Sequence, residues 1–207
     1  MPGSPRIPFI DPDTDQIAGT IDAGMVPAQV ELASSISKLL AIDGKTARVD
    51  IVDLVSGEIV EEAVPFVPRR ITIGPDGLTA ALADPETGRL ILIDLLRRQT
   101  LGAVTGPAPL QDMVFSADAK TLFLAGGNSS AVAVIDAATA QVIRFIDTGL
   151  LPATFALTRS PNGQRLFAQS ESGDIGVIDL QHRQALTPIP AGAGSTGRFP
   201  RHPAHIC

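Results

Sequence analysis

The sequence predicts an all-β chain built from a repeat of about 42 residues. Three markers keep that period. A hydrophobic residue followed by Asp recurs as Ile10-Asp11, Val52-Asp53, Ile93-Asp94, Ile135-Asp136 and Ile178-Asp179. A proline recurs as Pro27, Pro68, Pro109 and Pro152. A polar turn recurs as GPDG at 74–77, SADA at 116–119 and SPNG at 160–163, with SSIS at 34–37 as a degenerate copy. Each period carries four short strand-like runs joined by short turns. Four antiparallel strands per repeat of this length describe the blade of a β-propeller.

Residues 6–24 hold only the last two strands of a blade. Four complete blades follow, over about 26–64, 65–106, 107–149 and 150–192, and residues 193–207 form a C-terminal tail. The blade at 65–106 shows the pattern. Residues 70–73 alternate, and Pro75-Asp76-Gly77 turns the chain, Pro presetting φ and Gly accepting a positive φ. Residues 78–83 are apolar and small, and Asp84-Pro85-Glu86-Thr87-Gly88 turns again. The run Leu90-Ile91-Leu92-Ile93 reads as a strand buried on both faces. A more polar run, residues 101–104, completes the unit. The third runs, 49–51, 90–93, 132–135 and 175–178, are expected to be the most buried. Phe115, Phe123, Phe155 and Phe167 are expected between blades. No segment keeps a helical apolar spacing, and the Pro and Gly placement opposes one.

About four and a half blades leave ring closure open. The chain fits a piece of a longer propeller, a five-bladed ring whose first blade the tail completes, or an open arc that closes on a second copy. An unpaired blade edge favours such a homodimer.

Composition narrows the function. The 207 residues are 44% apolar and 18% charged, with eight Phe and no Trp or Tyr, so the core is built from Val, Ile, Leu and Ala. The net charge of −6 comes with no basic stripe, which argues against a nucleic-acid partner. No apolar run reaches the roughly 18 residues of a membrane helix. The N-terminus lacks the apolar core of a signal peptide, so the expectation from the residues alone is a cytoplasmic chain, or one whose export signal was removed before this numbering begins. One Cys, Cys207, forms no intrachain disulfide.

The run Pro-x-x-apolar-x-apolar-x-(Ser)-Pro-Asp-Gly-x-x-apolar-apolar, then apolar-Ile-Asp-x-x-(Thr)-(Gly), resembles the YVTN-type (YncE-like) propeller repeat. It is carried by residues 70–83 with 92–98, 113–125 with 134–142, and 155–168 with 177–184. The eponymous tetrapeptide is degenerate: LAID at 40–43, ALAD at 81–84, FLAG at 123–126 and FAQS at 167–170. The resemblance spans about residues 6–192. It implies a propeller of a bacterial, exported kind, periplasmic or extracellular. Relatives of this architecture include lactonases and redox-enzyme subunits.

Candidate sites follow from position. Arg69-Arg70 lies after the repeat proline, where an innermost strand begins, with Ala28-Gln29, Leu110-Gln111 and Ala153-Thr154 as equivalents. Asp84 lies in the loop after the second strand. Arg69, Arg70, Gln111, Asp112 and Asp84 are therefore the expected ligand-binding groups at a channel mouth, and the arginines suit an anion. His202, His205 and Cys207 are the candidate metal ligands, in a spacing that matches no common zinc pattern. Asp53, Asp94, Asp136 and Asp179 read as turn formers rather than a carboxylate ring. The segment Asp11-Pro12-Asp13-Thr14-Asp15 lacks the Gly and distal Glu of an EF-hand.

No catalytic set emerges. Of three His, two lie in the tail and His182 in an outer turn; no nucleophile elbow, dinucleotide loop, phosphate loop or haem motif occurs. The expectation is a non-enzymatic binding or scaffold protein without a cofactor, taking a protein or small anionic ligand. The alternatives are an enzyme or redox-enzyme subunit, lactonase-like or quinoprotein-associated, and metal handling through the tail.

Overall fold

The computed structural model describes residues 4–150 and 154–190. Strands β1 (Arg6–Asp11) and β2 (Gln16–Asp22) form a two-stranded sheet. Four four-stranded antiparallel sheets follow. The first blade holds β3 (Gln29–Ala33), β4 (Lys38–Ile42), β5 (Arg48–Asp53) and β6 (Ile59–Ala63). The second holds β7 (Arg70–Ile73), β8 (Thr79–Asp84), β9 (Arg89–Asp94) and β10 (Gln99–Thr105). The third holds β11 (Leu110–Phe115), β12 (Thr121–Gly126), β13 (Ala131–Asp136) and β14 (Val142–Asp147). The fourth holds β15 (Thr154–Arg159), β16 (Arg165–Ser170), β17 (Ile175–Asp179) and β18 (Gln184–Ile189). Each sheet is a simple meander, and the first strands of successive sheets touch: β3 meets β7, β7 meets β11, and β11 meets β15. The architecture is the propeller arc of four and a half blades that the repeat predicts.

The turns explain why these residues make hairpins. In each third-to-fourth-strand turn the repeat Asp accepts backbone N–H bonds from the residues two and three ahead. Asp53 takes Val55 and Ser56, Asp94 takes Leu96 and Arg97, Asp136 takes Ala138 and Thr139, and Asp179 takes Gln181 and His182. Asp11 takes Asp13 in the half-blade. The residue four after each Asp is left-handed: Asp15, Gly57, Arg98, Ala140 and Arg183. An Asx turn followed by one αL residue reverses the chain in the sense that the twisted strands need.

First-to-second-strand turns share another geometry. Ser37, Gly77, Ala119 and Gly163 all have positive φ, and each donates its N–H to the carbonyl three residues back. The degenerate copy is therefore a working turn, written as a single 3-10 turn over Ser34–Ile36.

The core lies between blades. In β9, Ile91 and Ile93 pack on the first blade's Leu40, Ile42, Val49 and Ile51. Leu90 and Leu92 pack on the third blade's Met113, Phe115, Leu122 and Leu124. Both faces of a middle strand are thus covered, and burying Leu92 alone contributes about 2 kcal/mol. The expectation that third strands are the most buried needs correction. In β12 all six residues are buried, and Ala80–Ala83 of β8 are buried too. A second strand also has a neighbour on each edge and a blade on each face. Phe115 and Phe123 lie between blades as expected, whereas Phe167 is only half-buried. The side chain of Phe155 lies outside the described residues.

Candidate functional site

Pairing fixes which residues occupy equivalent places at the start of each innermost strand. Gln29 faces Ile42, Arg70 faces Ala83, Asp112 faces Ala125 and Ala156 faces Gln169. Sequence spacing matches Arg70 to Gln111 and to Thr154. Register shifts between Leu110 and Asp112 and between Thr154 and Ala156 move the equivalence on. A bulge of this kind inserts one residue between the repeat proline and the inward-facing position, two residues on at Pro68–Arg70 and three at Pro109–Asp112, so a fixed offset from the proline picks the wrong neighbour.

These equivalent residues lace the blades together. The Gln29 side-chain amide accepts the N–H of Ile71 at 3.0 Å and donates to the Ile71 carbonyl at 2.9 Å. Arg70 Nη1 lies 3.4 Å from Asp112 Oδ1. Asp112 Oδ2 accepts the N–H of Leu157 at 2.9 Å, and Oδ1 accepts the N–H of Met113, also at 2.9 Å. Arginine has no acceptor. Where Arg70 stands in the lacing position, Asp112 supplies the acceptor for Met113 from its own strand.

Arg69, in the linker before β7, donates its backbone N–H to Ala83, and its guanidinium pairs with Glu86. The Arg69 side chain is 44% exposed and that of Glu86 75%. Gln111 is exposed on the bulge. Asp84 accepts the N–H of Glu86 at 3.1 Å and the Thr87 hydroxyl at 2.6 Å. That carboxylate shapes the second-to-third-strand turn. The structure thus brings Arg69, Arg70, Gln111 and Asp112 to the same end of the inner strands and gives Asp84 a turn role.

Electrostatically, each of the two arginines faces a carboxylate. The Arg70–Asp112 pair is the more enclosed, with Asp112 only 15% exposed. Around the outer turns the carboxylates are held in their charged form. Backbone N–H bonds and Lys38 push Asp53 well below the usual carboxylate range. N–H bonds from the turn lower Asp94, and the bonds from His182 and Gln181 lower Asp179 to about 2. The Thr139 hydroxyl and N–H lower Asp136.

The sequence reading missed a second polar cluster. Asp50 is fully buried in the middle of β5, where the other blades carry Ile91, Ala133 and Gly176. Its Oδ2 meets Arg48 Nη2 at 3.0 Å, and Arg48 Nη1 meets Glu61 at 3.0 Å. Asp50 Oδ1 and Arg48 Nε are buried without a partner. Burial pushes the Asp50 carboxyl up, against the opposing pull of Arg48. The signal was a lone charge inside an apolar run. Arg89 is the counterpart of Arg48: it donates to the Pro65 carbonyl at 3.1 Å and lies 5.1 Å over the Phe66 ring.

His202, His205 and Cys207 lie outside the described residues. Among the described residues no group of three or more His, Cys, Asp or Glu is arranged to hold a metal ion. No helix among them is long and apolar enough to cross a membrane.

The fold has a solved counterpart. The chain is similar to hydrazine synthase from Kuenenia stuttgartiensis, with a TM-score of 0.66 and 20% sequence identity. The similarity covers 78% of this chain and 48% of that one, so the matched part is about half of the counterpart. At that identity the likeness carries the fold and no activity. No protein-family model matches the chain, and no curated protein sequence does.

Proposed function

We propose that the chain is a non-enzymatic binding or scaffold propeller of the YVTN type that takes a small anion, or an acidic group of a protein, at Arg69. One observation carries this reading. Arg69 is substantially exposed, and its carboxylate partner Glu86 is more exposed still. An exposed ion pair is worth about 0–1 kcal/mol. An incoming carboxylate or phosphate therefore displaces Glu86 at small cost and gains a bidentate guanidinium contact. Gln111 stands exposed at the same end of the inner strands. Arg70 is already committed to Asp112 and shapes the mouth from behind. The YVTN-type resemblance supports an exported bacterial setting.

Calorimetric titration with inorganic phosphate and with succinate tests this. Binding is expected for the full chain, to be lost in Arg69→Ala, and to tighten several-fold in Glu86→Gln, which removes the internal competitor. Equal affinity in all three proteins would overturn the proposal.

A further inference from the structure

We infer that the cleft beside Arg89 binds a small carboxylate with a short apolar chain. None of Arg69, Glu86 and Gln111 lines this cleft, so the site is separate from the mouth and does not depend on that reading.

Two successive blades carry the comparison that points to it. Ladder register puts Arg48 and Arg89 in the same place at the start of a third strand, opposite Ala63 and Thr105. Two residues on, Asp50 faces Glu61 in the first blade, and Ile91 faces Ala103 in the second. Alternate residues of a strand share a face, so each arginine lies beside the pair that follows it. In the first blade that pair is two carboxylates, and each meets Arg48 at 3.0 Å. In the second blade the pair is two hydrocarbons. Arg89 keeps one tie, from Nη2 to the Pro65 carbonyl, where Arg48 reaches Gly24. Among the described residues it has no carboxylate partner.

Ala103 leaves open the space that Glu61 fills one blade earlier. A cleft of about 210 Å³ lies between Pro65, Phe66 and Arg89 on one side and Ile91, Ala103 and Thr105 on the other. At about 30 Å³ per water it has room for roughly seven waters, or for a molecule of about six heavy atoms. Its floor is apolar: Phe66 and Ile91 are 7% and 1% exposed. The Arg89 guanidinium lies 5.1 Å over the Phe66 ring, which holds the fork in place before any ligand arrives.

The third blade dispenses with this arrangement. Ala131 and Phe145 stand in the places of Arg89 and Ala103, so the blade architecture itself does not require the arginine. The ligand completes in the second blade what Glu61 completes in the first. Its carboxylate takes the guanidinium, and its chain lies on Phe66, Ile91 and Ala103.

Butyrate is the probe, followed through the amide and arginine side-chain resonances of the full chain. Saturable shifts are expected at Phe66, Ala103, Thr105 and Arg89 Nε, with a Kd of about 1–10 mM for so few atoms. Acetate should bind several-fold more weakly, because it buries less apolar surface, and so should inorganic phosphate. Ala103→Glu places a carboxylate where Glu61 stands in the first blade, and should weaken butyrate at least about tenfold. Arg89→Gln should do the same. Ala103 is exposed on an outer strand, so its variant answers the question even where loss of Arg89 disturbs the fold. Resonances of Arg69 and Gln111 report the mouth in the same titration, so either site can fail alone. No saturable shift at Ala103 and Thr105 overturns the proposal. Equal butyrate affinity in Ala103→Glu, or phosphate binding there as tightly as butyrate, overturns it too.

Discussion

The side-chain amide of Gln29 pairs with both the N–H and the carbonyl of Ile71, one blade further on, as a neighbouring strand would. The bond spans 42 residues of sequence and joins two inner strands that share no ladder. Ile71 is buried, so losing the amide strands two backbone groups. Gln29→Ala should destabilise the protein by about 1–2 kcal/mol in urea unfolding. Gln111→Ala, at an exposed bulge position, should change stability by no more than about 0.5 kcal/mol.

Asp112 serves three donors at once: Arg70, Met113 and Leu157. Asp112→Ala should cost about 2–3 kcal/mol, well beyond the loss in Arg70→Ala. The coupling between the two, measured as a double-mutant cycle, should stay near or below about 1 kcal/mol, because the Arg70 side chain is 34% exposed. A coupling as large as the Asp112→Ala loss itself would mean that the ion pair, not the backbone bonds, holds the mouth.

Gly24 links the half-blade to the first blade at φ +74, and a Cβ there would stand 2.6 Å from Asp50 Oδ2 and 2.9 Å from Ile59 Cγ2. Gly57 has a similar φ, +76, with nothing near its absent side chain. Both Gly→Ala variants carry left-handed strain of about 1 kcal/mol. Gly24→Ala should therefore lose clearly more stability than Gly57→Ala. The excess should shrink when Asp50→Ala is added. Equal losses would show that the linker relaxes away from Asp50.

Stability against pH should have two limbs. Asp53, Asp94, Asp136 and Asp179 have folded values below the unfolded one, about 4. Their contribution is present above about pH 4 and is lost as pH falls through the folded values, to about 2 for Asp179. Asp50 has the opposite sign: its folded value is raised, so its burial penalty appears as pH climbs above about 4. Urea midpoints over a pH series should rise from acid and then ease back. Asp50→Asn should remove the second limb and leave the first. An unchanged upper limb in that variant would discharge Asp50 from the effect.

The repeat was legible because turns are local. An Asx acceptor and a residue of positive φ must sit at fixed offsets whatever the blade packs against, so Asp53, Asp94, Asp136 and Asp179 keep time in the sequence. The half-blade was legible for the same reason. The mouth was legible only in part: position marked Arg69 and Arg70, but a bulge substituted Asp112 for Gln111 in the lacing place. Spacing carries no record of which of two adjacent residues faces inward. Glu86 was invisible as the partner of Arg69, since the pair joins a linker to a turn 17 residues later. Asp50 was the one loud residue that went unread, a carboxylate where the pattern demands a hydrocarbon.

The lace from Gln29 to Ile71 and from Asp112 to Leu157 also sets where this molecule comes apart. Outer strands such as β14 are held on one edge only and expose Val142, Ile143 and Phe145. Thermal fraying should begin at the rim and move toward the axis, with the last amides to exchange lying along the inner wall. Four blades tied at their hubs melt as one unit, so the rim can vary in sequence while the hub governs the lifetime of the fold.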